Sequence, residues 1–213
     1  TGAQSVRVGR GSSSVLHGPN AIGGVIEVDI ARGPSRPAPE TPVSIALSLE
    51  ETGGASLSAA TARRIEIGNA HLMVRAGAGH RANKGVPLPS AASEDTELRS
   101  EYLVNLDGLR LNSDSRRSDG YLAARYMNEG GGWASLTTSV YDLDRGVPPE
   151  AHQDSPRFWR YPEQNRVLVA LSGGSGEQET SGGVRSFEFS FGLDAGSSQI
   201  DRYETESFST VNG

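Results

Sequence analysis

From Val43 onward the chain is written with period two. Val43, Ile45, Leu47 and Leu49 alternate with Ser44, Ala46 and Ser48, which gives one greasy side and one small, polar side. Leu57, Ala59, Thr61 and Ile65 oppose Ser58, Ala60, Ala62 and Arg64, with Arg63 on the apolar side near a strand end. The pattern returns in Leu72, Val74, Ala76 and Ala78, in Leu122, Ala124 and Tyr126, and in Ala134, Leu136, Thr138 and Val140. It closes with Val167, Val169 and Leu171, then Phe187, Phe189, Phe191 and Leu193 against Ser186, Glu188, Ser190 and Gly192. Successive side chains point to opposite faces in a β-strand, so about seven strands of roughly ten residues follow, in an all-β, antiparallel sheet.

Composition narrows what such a sheet can face. Of 213 residues, 35% are hydrophobic and 27 are glycine, a low apolar supply for a packed interior. No apolar run approaches the ~18 to 20 residues of a membrane helix, so a membrane protein of this sequence must cross with strands. Strands of about ten residues tilted near 45° have that length. The absence of cysteine removes disulfides, thiolate nucleophiles and thiolate metal sites. A net charge of -6, with interspersed charges and no basic stripe, argues against nucleic acid as a partner.

Connection lengths add an asymmetry. The segments between strands are "ETGG" (51 to 54), "IGN" (67 to 69), a long stretch from about Arg81 to Ser115, "NEGGG" (128 to 132), a long stretch from about Asp144 to Glu163, and "GSGEQETSGG" (174 to 183). If strands run up and down, both long segments fall on one rim. Short turns on one side and long loops on the other is the habit of outer-membrane barrels, with "ETGG" as the exception.

The first 42 residues are built differently. Val6-Arg7-Val8 reads as a strand end, and Ser12 to His17 as about a turn and a half of helix with hydroxyl caps and a Gly18-Pro19 stop. Ala21 to Val28 returns to a strand, with Gly23-Gly24 where another backbone comes close or the chain bends. Residues 31–42, "ARGPSRPAPETP", carry four prolines in a polar setting and read as a semi-rigid linker. The chain is thus divided into 1–30, a linker at 31–42, and a strand region at 43–213. No charged-then-apolar leader opens it and no closing element ends it, as expected of a piece of a larger protein.

Residues 6 to 29 closely resemble the end of the plug domain of TonB-dependent outer-membrane receptors: a strand, Arg-Gly, a short helix ending in an aromatic or His and Gly, then Ala-Ile-Gly-Gly-Val-Ile. Here these are Arg10, Gly11, Ser14, Leu16, His17, Gly18, Ala21, Ile22, Gly23, Gly24, Val25 and Ile26, about a tenth of the chain. The stretch "YDLDRGVPPEAHQDSPRFWRYPE" (141 to 163) looks like an outer loop of such a barrel. The resemblance implies a transmembrane β-barrel of about 22 strands with a plug in its lumen. Residues 1–30 would be the C-terminal part of the plug, and 43–213 the first strands of the barrel, an open curved sheet when taken alone. It also implies location in the bacterial outer membrane and contact with its lipid. TonB would act through a region upstream, driving ligand-gated uptake of a scarce small molecule such as a ferric siderophore or cobalamin. The front of the plug, the TonB box, the remaining strands and a terminal aromatic complete the family's pattern. On this view Arg10, Gly11, Gly18, Gly23 and Gly24 are structural and gating positions, and Arg10 reaches a barrel carboxylate or is a solvated turn charge.

Little in the chain points to covalent chemistry, and it is not expected to be an enzyme. His17, His71, His80 and His152 have no partner at ligand spacing, so neither a metal nor another cofactor is expected. "GGSGE" (173 to 177) lacks the flanking pattern of a nucleophile elbow. "NSDSRRSDG" (112 to 120) puts Arg116 and Arg117 where a calcium loop needs an oxygen ligand and a glycine. Arg110, Arg116 and Arg117 are instead candidates to draw an anionic or ferric ligand, or plain outer-loop charges. Phe158, Trp159 and Tyr161 with Arg157 and Arg160 form either a ligand-contacting face, the folding core of a loop, or part of an outer aromatic belt. Trp133 is expected on the opposite, periplasmic belt. The alternative to a transport receptor is a soluble β-rich binding or adhesion module, in which the same alternation buries its apolar sides in a sandwich.

Overall fold

A computed structural model describes residues 5–10, 24–29, 43–88 and 108–211. Among the described residues the regular elements are all strands: β1 (Ser5–Arg10), β2 (Gly24–Asp29), β3 (Val43–Leu49), β4 (Ala55–Ile67), β5 (Ala70–Asn83), β6 (Ser115–Asn128), β7 (Trp133–Val147), β8 (Phe158–Gly174), β9 (Gln178–Thr180), β10 (Gly183–Arg185) and β11 (Glu188–Tyr203). The first two pair antiparallel, with Ser5 opposite Asp29 and Arg10 opposite Gly24. The helical turn expected at 12–17, Gly11, Gly18 and Gly23, and the 31–42 linker lie outside the described residues.

The main body is an open seven-stranded sheet in the order β3-β4-β5-β6-β7-β8-β11, every neighbour antiparallel. Residues 68–69, 129–132 and 175–187 connect strands at one rim, and 50–54, 84–114 and 148–157 at the other. The connection at 175–187 is more than a turn, because β9 and β10 form a small hairpin within it.

Strands β4 to β8 and β11 run from 13 to 17 residues, longer than the alternation of apolar residues indicates. The reason is that only their lower part alternates in hydrophobicity. Register pairing puts Ala78, Gly120, Val140, Val167 and Ala195 side by side on one face. The next residues up that face are His80, Ser118, Asp142, Asn165 and Ser197, all polar. Below this line the face is mostly apolar down to Ala70, Tyr126, Ala134 and Phe189, with Arg63, Thr61 and Thr138 as its polar members, while β3 and β4 carry it higher through Leu47 and Leu57. Ala70 to Ala78 on β5, or Phe187 to Ala195 at β11, is roughly 26 Å of strand at ~3.3 Å per residue.

No second layer covers this face among the described residues. Ile45 is 72% exposed, Leu47 70%, Phe187 64% and Phe191 64%, with Leu122, Leu136, Val140, Val167 and Leu171 also exposed. Among the described residues the buried apolar side chains are few: Ala70, Leu109, Ala123, Pro149 and Ala151. Backbone pairing holds the strands together, and the large apolar side chains contribute little inside the protein itself.

Two glycines let an aromatic ring fold across the strand pair. Gly77 stands opposite Tyr121, and a Cβ at Gly77 would lie 2.5 Å from Tyr121 Cε1. Gly173 stands opposite Phe189 in the same way, its would-be Cβ 2.7 Å from the ring. Gly77→Val is therefore expected to displace Tyr121 and lower stability by about 1–3 kcal/mol, the usual cost of overpacking. Chemical unfolding of the full-length protein checks this: adding Tyr121→Ala should recover part of the loss, and strictly additive losses would contradict the packing.

Candidate functional site

Charge is concentrated on the face opposite the apolar band. Register puts Arg64, Glu66, Arg75, Arg81, Arg117, Asp119, Arg125, Arg166 and Asp194 on the side of Gly77 and Tyr121. Several are paired there: Arg64 with Glu66 at 2.6 Å, Arg117 with Asp119 at 3.2 Å, Arg81 with Glu50, and Arg166 with Asp194. Such half-exposed pairs are each worth ~1 kcal/mol or less, so they make the face polar rather than hold the sheet.

Guanidinium groups also stack on rings up this face. Arg125 lies 4.4 Å from the centre of Trp133, Arg117 5.0 Å from Tyr141, and Arg145 4.9 Å from Tyr161. Trp159 carries two, Arg157 at 4.7 Å and Arg202 at 5.4 Å. Trp133 is thus on the charged face, opposite the side expected for a belt residue. Its register partner Met127 shares that face with Tyr121 and Arg125, and the stack on Arg125 explains why an indole sits there.

The upper group depends on a bulge. β8 contains Pro162, which has no N–H to give the ladder. Gln164 pairs with Leu143 but Tyr161 pairs with Arg145, so β8 has one residue more than β7 at this point, and a register shift occurs against β11 as well. An extra residue switches the faces of everything beyond it. Trp159 and Tyr161 therefore join Arg166 on the charged side, while Arg160 and Phe158 go to the other.

On that other side Arg160 ties the rim together. It donates to Asp114 Oδ1 at 3.0 Å and Oδ2 at 2.7 Å, and its Nη2 forms an ion pair with Asp144 Oδ1 at 2.8 Å. Asn112 donates to the carbonyls of Val147 at 2.9 Å and Trp159 at 2.7 Å, two residues that face each other across β7 and β8. Its backbone is left-handed, with φ of 51°, and Gly146 leaves the space that Asn112 occupies. Phe158 packs edge-on against Phe208 at 5.9 Å, and Phe208 against Tyr203 at 5.3 Å. On this face Glu163 and Asn165 separate Phe158 from the apolar band, so it belongs to a rim cluster rather than to an aromatic belt.

Arg145, Glu150, Arg157, Trp159 and Tyr161 line a cavity of about 310 Å³ at the mouth of the charged face. Glu150 fixes Arg157, accepting its backbone N–H at 2.9 Å and pairing with its guanidinium. The backbone N–H of Arg157, then its guanidinium, hold the Glu150 carboxyl down at about 2, against an ordinary value of 4.5.

Of the residues singled out from the sequence, Arg157, Trp159 and Tyr161 come together at this cavity. Trp159, Arg160 and Tyr161 stand in β8 rather than in a loop, and Arg160 faces away. Arg116 and Arg117 are consecutive strand residues on opposite faces, so they do not act as one group. Arg110 lies beside the isolated Pro87–Leu109 bridge, its N–H bonded to the Val86 carbonyl at 2.8 Å. Arg145 and Arg202 were not indicated by the sequence; the available signal was an aromatic partner at each register position. Among the described residues no three His, Asp or Glu side chains gather as a metal would require.

Glu150 gives a pH signature. Because its folded value is depressed, the pair's contribution is complete above about 4.5 and is lost as pH falls through about 2. The Glu150 carboxyl resonance should titrate near 2 in the folded protein and rise part of the way toward its ordinary value after Arg157→Gln, which removes the guanidinium but keeps the backbone N–H; an unchanged midpoint would refute the side-chain pairing. Compared with known families, curated proteins and solved structures, the chain matches none.

Proposed function

We propose that this chain is part of a TonB-dependent receptor of the bacterial outer membrane, which takes up a scarce small-molecule ligand by energised, ligand-gated transport without covalent chemistry. The observation that carries the proposal is the apolar face with its edge drawn at one register level across five strands. A band of about nine residues per strand is what a bilayer needs from strands tilted near 45°. Lipid supplies the layer that these side chains lack. The charged face then lines the lumen, and the short connections at 68–69 and 129–132 are periplasmic.

The plug-like motif of residues 6 to 29 supports the same reading, together with the pairing of Arg10 with Gly24 at the open end of the β1–β2 pair. A spanning sheet must satisfy both of its edges, so the free sides of β3 and β11 take further strands in the assembled barrel. A soluble adhesion or binding module would instead need a second sheet over Ile45, Leu136 and Phe191, and all three are exposed.

Leu136 and Thr137 are neighbours on opposite faces of β7, which makes a direct test. In the full-length protein, Leu136→Lys should lower stability in lipid by about 2–4 kcal/mol, while Thr137→Lys should change it far less. The wild type should require detergent for extraction, migrate faster on a gel unless heated, and lose ligand uptake when TonB is removed. A water-soluble full-length protein would refute the proposal.

A further inference from the structure

We propose that the stacked guanidinium groups of Arg145 and Arg202 bind a ligand carrying at least two oxyanion groups at the mouth of the charged face. The inference rests on the receptor reading and names the chemistry of its ligand. A guanidinium held over a ring still offers N–H donors, in a planar fork that matches carboxylate, phosphate or sulfonate. Tyr161 and Trp159 hold Arg145 and Arg202 in that posture.

Charge accounting sets these two arginines apart from Arg157 at the same rings, which is paired with Glu150, and from the paired arginines elsewhere in the sheet. Arg64, Arg81, Arg117, Arg157, Arg160 and Arg166 each face a carboxylate. Arg145 and Arg202 have no ion pair among the described residues. Around Trp159 and Tyr161 the group therefore comprises three guanidiniums, Arg145, Arg157 and Arg202, against the single carboxylate of Glu150. Two positive charges are left without a counterion: Arg145 lines the cavity of about 310 Å³, and Arg202 stands over Trp159, which lines it too.

Spacing sets the ligand's size. Arg145 is on β7 and Arg202 on β11, on either side of β8, and their register partners Tyr161 and Trp159 are two residues apart. Two strand spacings of ~4.8 Å and a two-residue step of ~6.6 Å put their backbones roughly 12 Å apart. An extended polyanion, such as a carboxylate-rich chelate, has the reach to span that distance.

The test uses the full-length protein in detergent, with pyrene tetrasulfonate as a rigid fluorescent polyanion read by anisotropy. Saturable binding that weakens with added salt is expected. Arg145→Gln and Arg202→Gln should each weaken it about tenfold, the effect of losing one charge-assisted contact. Arg202→Lys should lie between, and Arg166→Gln, lower on the same face, should bind as the wild type does. Displacement by citrate at concentrations where inorganic phosphate has little effect supports the proposal, and displacement by phosphate as strong as that by citrate overturns the requirement for two oxyanion groups. Absence of saturable binding, or unchanged binding in glutamine variants that keep heat-modifiable migration, overturns it. A barrel that extracts and migrates as expected but ignores the probe sinks this inference alone; a water-soluble protein sinks the receptor reading first.

Discussion

One constraint governs this structure: an alternating sheet has an apolar face whether or not the chain supplies anything to cover it. Burying a large aliphatic or aromatic side chain is worth about 1.5–3 kcal/mol, so a row of them left in water would make the sheet a poor competitor against aggregation. In the receptor reading lipid resolves the problem. The polar row from His80 through Ser118, Asp142 and Asn165 to Ser197 is then where solvent conditions change along each strand. Above it the sheet continues with polar and aromatic side chains, held by its ladder and by side-chain ties such as those of Asn112 and Arg160.

The upper sheet depends on β8. Pro162 cannot join the ladder, and the bulge around it decides which side chains meet. Without that extra residue Trp159 and Tyr161 would stand beside Asp114 and Asp144, and Arg160 would face the cavity. The two faces of the rim are complementary in consequence: Arg160 and Asn112 on one side clamp the backbone of β7 and β8, and the clamp fixes the rings on the other side. Preorganised rings lower the entropic cost of presenting long arginine side chains to a ligand.

Much of the architecture was legible in the sequence. The strand count of the sheet, its antiparallel order and the rim asymmetry follow from alternation and from connection length. The upper halves of the strands were not legible, because hydrophobic periodicity marks a strand only while its two faces meet different environments. From Tyr141 to Val147 and from Phe158 to Asn165 both faces are polar or mixed, and the sequence looks like loop. The same blindness hid Arg145 and Arg202. Arg157, Trp159 and Tyr161 were visible as an unusual composition, but their separation from Arg160 follows from a proline-induced slip that no periodicity announces. Arg116 and Arg117, adjacent in sequence, were divided for the simpler reason that they lie in a strand.

The neck at the base of the longest excursion has a further consequence. Arg110 N–H meets the Val86 carbonyl, Pro87 bridges Leu109, and Asn112 is anchored to β7 and β8, so the wall is closed before the excursion begins. A change in chain length between Leu88 and Gly108 therefore leaves the neck, and with it the pairing of β5 and β6, in place.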